Sequence, residues 1–314
     1  MTAFPVFFAV IENDLRRVLS FSLNNQLGFM VVGIGIGTEL SLNGTVAHAF
    51  VHIIYKALLF MSMGAVLHRV GTTKASELGG LYRYMPLTTI FCIIGAMSIS
   101  AFPLFSGFVA KSLIMSALGG QGLIIIYFVL FFASAGVLEH SGIKIPYFAF
   151  FAHERKNKVK EAPFNMLLAM GMAAFLCIGI GVYPKYLYSI LPYAVDYHPY
   201  TIDHVISQLQ LLVFAILAFL FLIKFKLYPS EMKSTVLNSD WFYRKMLPGI
   251  GKPLFKNLSF MINLIYSQLG LFFKYFMNKT KNLSTSNYIK VINPGFATFV
   301  LISILFLMLT IAVI

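Results

Sequence analysis

Three ionisable residues recur every four positions within an otherwise apolar stretch of this sequence: His48, His52 and Lys56. In an α-helix this spacing places the three side chains on one face, with a rise of about 6 Å per step. Histidine changes its charge near neutral pH, and a lysine removed from water can be brought towards the same range. A row of such groups, joined directly or through one water, can pass protons along a helix. The alternative interpretation is a polar contact between two helices.

The segments that flank this row, 45–49 and 57–67, are apolar enough to lie within a membrane. An ionisable group at the middle of a bilayer costs about 3 kcal/mol on insertion scales. Such a group therefore normally faces the interior of a helix bundle and marks the path of an ion or proton. We expect the row to face neighbouring helices rather than lipid.

The composition indicates a polytopic membrane protein. Of 314 residues, 59% are hydrophobic and only 11% are charged, whereas a soluble domain has about 25% charged residues. The net charge of +13 comes mainly from loops between apolar segments, so we expect no nucleic-acid partner. Cys92 and Cys177 both lie inside apolar runs and are interpreted as small buried side chains. They predict neither a disulfide nor a metal site.

Segments of about 20 apolar residues predict an all-α bundle of about seven or eight transmembrane helices. The segments lie near residues 18–38, 44–68, 85–118, 121–142, 164–184, 205–226 and 294–314. Residues 2–12 resemble the second half of a further span and are too short to cross a bilayer alone. Either this segment packs as a stub, or the chain begins partway through a larger unit.

The segment 85–118 is too long for one straight crossing and predicts a broken helix near residues 101–107. Pro103 removes a backbone donor there, and Gly107 loosens the chain. Irregular backbone at membrane depth is tolerated only where it is buried in protein or lines a wet cavity. Lys111 follows the break in apolar surroundings, so we expect it to be functional rather than a lysine that extends to the membrane surface.

Lysine and arginine residues are distributed unevenly between the two sets of alternate loops. One set carries ten of them and the opposite set carries only Lys185. The first set is therefore expected in the cytoplasm, which places the C-terminal end of the last span outside. The ten residues are Arg16, Arg17, Arg69, Lys74, Arg83, Lys144, Arg155, Lys156, Lys158 and Lys160.

A narrow polar stripe at three- and four-residue spacing runs along 254–277 and predicts an amphipathic helix that lies on a surface. A further spanning helix is the alternative. We therefore divide the chain into a transmembrane core at 1–190, an additional transmembrane helix at 191–230, a cytoplasmic-side segment at 231–293 that carries the amphipathic helix, and a final transmembrane helix at 294–314.

Other polar residues are interpreted as ordinary surface groups. Glu139 and His140 are adjacent, near a cytoplasmic end, and are expected to be solvated at the membrane interface. A further acidic and histidine group lies in an outer loop, but its spacing matches no known ligand pattern, so we expect loop polarity rather than a metal site. The members of this group are Asp196, His198, Asp203 and His204.

Five short motifs follow one another between residues 10 and 115, at 14–22, 25–29, 48–56, 77–81 and 102–111. Together they resemble the motifs of the large proton-conducting subunits shared by respiratory complex I, membrane-bound hydrogenases and Mrp-type cation/proton antiporters. The row at 48–56 is similar to the family's H-x3-H-x3-K helix, and 102–111 is similar to its L-P-P-x-S-G-F-x-x-K broken helix. Residues 142–147 favour the D-type antiporter subunits.

The resemblance implies a bundle of about fourteen helices with two inverted repeats of about five, each holding half of a proton path. It identifies His48, His52, Lys56 and Lys111 as the proton relay of the second repeat. The glutamate and lysine of the first repeat have no counterpart in this sequence. We therefore expect a partner chain that supplies the missing N-terminal half, along with other integral membrane subunits of one complex and the lipid bilayer.

These observations predict a proton-translocating subunit of a multisubunit monovalent cation/proton antiporter, in a bacterial-type inner (plasma) membrane. One alternative is a proton-pumping membrane-arm subunit of an NADH–quinone oxidoreductase or hydrogenase complex. Another is a non-conducting structural fragment of such an assembly. The sequence has no cysteine cluster and no dinucleotide-binding motif, so we expect no cofactor and a transport subunit rather than an enzyme.

Overall fold

A computed structural model describes residues 1–152, 158–225, 227–228, 240–284 and 294–313 of the chain. These residues are almost entirely helical, as the sequence predicts, and they divide into two units, Met1–Val236 and Leu237–Ile314. The main helices of the first unit are α1 (Phe4–Ile11), α2 (Leu15–Ile36), α3 (Glu39–Val70), α4 (Pro86–Ile99), α5 (Ser106–Gly120), α6 (Ile124–Phe151), α7 (Phe164–Val182), α8 (Pro184–Tyr188) and α9 (Ile202–Lys224). The second unit contains α10 (Leu247–Ser284) and α11 (Pro294–Val313).

Five of these helices, α2, α3, α6, α7 and α9, are long and apolar enough to cross a membrane. The predicted polytopic helical bundle is therefore confirmed. The predicted span 85–118 corresponds to α4, a shorter apolar helix, followed by α5. The predicted span 294–314 corresponds to α11, in which 11 residues, Thr298–Met308, form a shorter apolar stretch. The predicted half-span at 2–12 is the eight-residue helix α1.

Helix α3, which carries the ionisable row, is the centre of the first unit. Its 32 residues rise about 48 Å, more than the hydrocarbon core of about 30 Å. The Thr38 hydroxyl caps its first turn, and Gly71 ends it in a left-handed conformation at φ 81°. Because α2, α4, α5 and α7 all pack against it, the polar row faces other helices, as expected.

The predicted helix break lies between the end of α4 at Ile99 and the start of α5 at Ser106. Two non-glycine residues there, Ala101 and Leu104, have left-handed φ angles of 56° and 72°. Each such residue costs about 1–3 kcal/mol, which the surrounding packing must offset. At Gly107 a Cβ atom would collide with the Ser98 carbonyl oxygen, so glycine allows α5 to begin directly against the end of α4.

The sequence-based end of the fourth long span, at residue 142, is wrong because α6 continues to Phe151. Gly142 and Pro146 both favour a helix end, and Pro146 cannot donate the usual backbone hydrogen bond. The structure keeps the helix by widening it into two π-helical stretches, Leu138–Ile143 and Tyr147–Phe151. Such wide turns accommodate an extra residue or a missing bond without ending the helix.

Lys144 therefore belongs to α6 and is not a loop residue. Its side chain is 3% exposed, and its Nζ donates hydrogen bonds to the carbonyl oxygens of Val10 at 2.6 Å and Glu12 at 2.7 Å, with Ala9 at 3.4 Å. These carbonyls lie at the C-terminal end of α1, which has no further helical turn to satisfy them. Lys144 thus caps α1 from another helix.

Without Lys144, the sequence still has nine basic residues in the first set of loops or at the helix ends next to them, against Lys185 in the other set, so the predicted orientation does not depend on Lys144. Arg155 and Lys156 lie outside the described residues. Within the described part, the 71–85 loop is attached to the turn before α2, because the backbone N–H of Leu15 donates to Thr73 at 3.0 Å. Asp14 caps α2 and also accepts a hydrogen bond from the Thr73 hydroxyl.

The second unit consists mainly of one long helix and the final helix. The predicted amphipathic segment 254–277 falls within the 38 residues of α10, and Pro253 lies near the start of that helix. The placement of α10 on the membrane surface, rather than across the membrane, stays a prediction.

Candidate functional site

His48 stands at one end of the buried row and is held by two polar side chains. Its Nε2 lies 3.1 Å from the Gln26 amide oxygen and 3.0 Å from the Tyr55 hydroxyl, and that hydroxyl donates to the same amide oxygen. Both neighbours can then accept a hydrogen bond from Nε2, which assigns the hydrogen to this nitrogen. Nδ1 is left with a lone pair, and it has no hydrogen-bond partner among the described residues.

His52 and Lys56 continue the row on α3, and each is buried with one nitrogen that has no hydrogen-bond partner among the described residues. The His52 ring lies 6.1 Å from the His48 ring and 5.4 Å from the Tyr55 ring, measured between centroids. Both side chains are buried, at 6% and 4% exposure, yet His52 Nε2 and Lys56 Nζ lack hydrogen-bond partners within the described part of the chain. A buried polar atom without a partner is costly, so binding of a water to these atoms would be favourable.

Lys111 lies on the second turn of α5 and contacts the helix break directly. Its Nζ donates a 2.7 Å hydrogen bond to the carbonyl oxygen of Ile99, the last residue of α4. This carbonyl has no partner in its own helix because the helix ends there, and a cation is favoured at that end. The break therefore creates the binding position for the lysine that follows it in sequence.

Phe29 lies close to both Lys111 and the row on α3. The Lys111 ammonium lies 5.2 Å from the centre of the Phe29 ring, and the His48 ring lies 6.0 Å from the same centre on an edge-on approach. Lys111 also interacts electrostatically with His48, His52 and Lys56. The four residues singled out from the sequence thus form one buried cluster, and the Phe29 ring lies close to His48 and Lys111.

The sequence interpretation of His140 as an interfacial residue is wrong, because this side chain is fully buried. It lies in the first π-helical stretch of α6, where its Nδ1 pairs with the Ser141 hydroxyl at 2.8 Å, and Ser141 donates to Ser22 at 2.9 Å. Its Nε2 has no hydrogen-bond partner in the described ranges, and the ring interacts electrostatically with Lys56. Glu139, its neighbour, is only partly buried.

One signal in the sequence points to His140. It precedes Lys144 by four residues, the same spacing that identifies the row on α3. No four-residue spacing in the sequence points to Gln26 or Tyr55. Their contacts with His48 form only where α2 packs against α3. In the part of the chain that the structure describes, no three His, Cys, Asp or Glu residues come close enough to hold a metal ion.

Comparison with known proteins finds a family match over part of the chain. Residues 4–138 match the family described as NADH:quinone oxidoreductase/Mrp antiporter, TM. The matched region, which is less than half of the chain, is therefore similar to a transmembrane domain of that family. It contains α3, the helix break, Lys111 and most of the polar cluster.

Two curated relatives illustrate the range of this family. The L subunit of the F(420)H(2) dehydrogenase of Methanosarcina mazei is 39% identical over 117 residues, which cover 34% of this chain and 17% of the relative. The D-type subunit of the Na(+)/H(+) antiporter of Alkalihalophilus pseudofirmus is 34% identical over 194 residues, which cover 60% of this chain and 38% of the relative. The chain thus spans less than half the length of these relatives.

A solved structure shares the fold of nearly the whole chain. The membrane-bound sulfane sulfur reductase, an archaeal respiratory membrane complex, contains a chain that superposes with a TM-score of 0.57 at 22% sequence identity. The match covers 98% of this chain and 54% of that chain. The helical membrane architecture of this protein is therefore one already seen in respiratory complexes.

Proposed function

We propose that this chain is a proton-translocating membrane subunit of a multisubunit monovalent cation/proton antiporter, and that His48, His52, Lys56 and Lys111 carry the protons. The observation that carries the proposal is the buried row on α3. Each of its three side chains has a nitrogen without a hydrogen-bond partner among the described residues. A purely structural polar contact would pair these atoms, because unpaired polar groups in a packed interior are costly.

The chemistry of the row allows a proton to move by short transfers. A proton on the Lys56 ammonium passes to His52, either directly or through one water, and from there to the unprotonated Nδ1 of His48. Each acceptor regains its original state when it gives the proton to the next group. No hydrogen bond joins His48 to Lys111 among the described residues, so transfer between them requires a bridging water near the Phe29 ring.

Buried charges in the cluster also influence one another. Lys56 and Lys111 carry like charges in a medium that screens them weakly, so a proton on one disfavours a proton on the other. A proton that arrives on the α3 row therefore favours release of a proton from Lys111. This coupling gives the cluster a physical basis for moving protons one after another.

The relatives support two versions of this function. The D-type Na(+)/H(+) antiporter protein aligns over 194 residues, which favours a cation/proton antiporter. The L subunit of the dehydrogenase is more identical, at 39%, over a shorter segment, and supports the alternative of a proton-pumping subunit in a redox-driven complex. In both versions this chain conducts protons and leaves electron transfer to other subunits.

We further propose that the chain works with other membrane subunits in a bacterial-type inner (plasma) membrane. The relatives named here are much longer than the region they share with it, and the fold neighbour belongs to a membrane complex. A partner chain that supplies a complementary half-channel would complete the path.

The direct test is Lys56→Ala, measured as proton flux in vesicles that contain the assembled complex. We expect flux at the level of vesicles without the complex, with normal amounts of inserted protein. Lys185→Ala is the matched control, since this lysine is exposed and distant from the cluster in sequence. Full flux in Lys56→Ala would reject the relay and favour a structural role. Stimulation by a cation gradient or by an electron donor then distinguishes the antiporter from the redox-driven alternative.

A further inference from the structure

A small cavity is lined by Lys111. It is about 20 Å³ in volume, and its polar lining consists of Lys111, Ser112, Ser134, His204 and Gln208. A cavity needs roughly 10–15 Å³ to hold a water, which also needs two to four polar partners. The cavity beside Lys111 meets both requirements for a single water.

A second, larger cavity opens beyond the first. It has a volume of about 500 Å³ and is bordered by Tyr197, Thr201, Asp203 and Ser207, among others. His204 and Gln208 line both cavities. The two side chains therefore border both the single-water cavity at Lys111 and the larger cavity, which is also lined by residues of the 183–201 segment.

The surroundings of His204 fix its ring in this position. The ring stacks on Phe108 at a centroid distance of 4.7 Å and an angle of 19°. Its Nδ1 lies 2.9 Å from the carbonyl oxygen of Pro199, and because a carbonyl only accepts, Nδ1 must carry the hydrogen. Nε2 of the neutral ring then has the free lone pair, which is the state needed to accept a proton.

Gln208 is attached to the helix break. Its amide nitrogen donates to the carbonyl oxygen of Ser100 at 3.4 Å, one residue after the carbonyl that Lys111 occupies. One face of α9 is therefore fitted to the break, with His204 and Gln208 one helical turn apart. This fit accounts for two polar residues at the start of a helix that otherwise is strongly apolar.

We propose that His204 passes protons between Lys111 and the surface beneath the 183–201 loop. The Lys111 ammonium gives a proton to the cavity water, which gives one to Nε2 of His204. The resulting imidazolium releases a proton to water in the larger cavity, and the ring returns to its neutral form. Lys111 is then a neutral amine that is ready to receive the next proton from the row. This proposal rests on the proposed function and identifies the residue through which protons leave the cluster.

His204→Gln tests the exit, because glutamine keeps hydrogen-bonding capacity but cannot carry a proton at neutral pH. We expect proton flux of the assembled complex to fall about tenfold, less than the ~100-fold typical of a lost acid–base group because water reaches the larger cavity. Imidazole added on the side of the 183–201 loop should restore a substantial part of the flux. His68→Gln is the matched control, because His68 is exposed in the last turn of α3. We expect this variant to show neither the loss of flux nor a response to imidazole.

The outcomes separate this proposal from the function itself. Normal flux in His204→Gln with flux lost in Lys111→Ala would overturn the exit and leave the relay standing. Normal flux in both would overturn the proposed function as well. A loss that imidazole does not restore would indicate a structural role and overturn the exit. If His204→Gln does not accumulate, His204→Phe keeps the stacking on Phe108 and is judged by the same flux and imidazole measurements.

Discussion

Two buried lysines in the first unit have almost the same exposure and opposite surroundings. Lys144 is 3% exposed and its ammonium donates to three backbone carbonyls at the end of α1. Lys56 is 4% exposed and its ammonium has no hydrogen-bond partner in the described part of the chain. Burial alone therefore does not separate a structural lysine from a candidate proton carrier. The number of acceptors around the ammonium does.

Lys111 lies between these two cases. It has one strong acceptor, the Ile99 carbonyl, and it also lines a cavity with room for a single water. One bond holds the side chain in place, and a water in the cavity would be its second partner. The comparison therefore predicts that loss of Lys144 affects mainly folding, whereas loss of Lys56 or Lys111 affects mainly transport.

The largest expected effect on stability comes from Lys144→Met. Methionine keeps the length and apolar volume of the side chain but leaves the carbonyls of α1 unpaired, at about 1–3 kcal/mol for each unsatisfied group. We expect the free energy of unfolding to fall by about 3 kcal/mol or more. Denaturant unfolding of the purified complex, followed by helix content or by protease sensitivity near residue 12, measures this loss.

Lys56→Met is the matched substitution. Because the Lys56 ammonium has no bonded partner within the described ranges, we expect its removal to leave the stability unchanged or to raise it, while flux is lost. Equal destabilisation of the two variants would show that the difference in hydrogen bonding between the lysines has no energetic consequence.

A smaller effect on transport is expected from His52→Ala. A water in the space of the lost ring can relay a proton between Lys56 and His48, because bridging waters replace direct hydrogen bonds at little cost. Flux should therefore fall less than in Lys56→Ala, with both measured in the same vesicles. A loss as complete as that of Lys56→Ala would mean that the ring itself, rather than a connected row of donors, is required.

The smallest effect is expected from Tyr55→Phe. This change removes one of two groups that hold His48 Nε2, at a cost of about 1 kcal/mol, and leaves Gln26 in place. We expect nearly normal stability and a modest reduction of flux. A loss of flux similar to that of His52→Ala would indicate that the Tyr55 hydroxyl takes part in proton transfer. Tyr55 would then belong to the row and would not only position His48.

The sequence allowed α3 and the helix break to be predicted because both depend on local signals. The four-residue spacing of His48, His52 and Lys56 needs only a helix, and Pro103 with Gly107 marks the break at the residues where it occurs. The end of α6 could not be predicted in this way. Gly142 and Pro146 indicate a helix end locally, whereas the bonds from Lys144 to α1, 132 to 135 residues away in sequence, are made only in the folded bundle.

The environment of the candidate site was less predictable than its members. The expectation that the row on α3 faces other helices is confirmed, and the roles of its residues stay a prediction. Partners such as Gln26, and the fit of α9 against the break, depend on which helices become neighbours. His204 lies in a segment that local composition describes as a polar loop, and only packing against Phe108 brings it near Lys111.

The partner of Lys111 has a consequence for genetic experiments on this protein. The acceptor is the main-chain carbonyl of Ile99, which every amino acid supplies equally. A complete scan of single substitutions would report Lys111 as sensitive and would find no second residue whose replacement mimics its loss. The contact that positions this lysine is thus invisible to side-chain mutagenesis, and its detection requires a change in the backbone itself, such as an amide-to-ester replacement at the bond between Ile99 and Ser100.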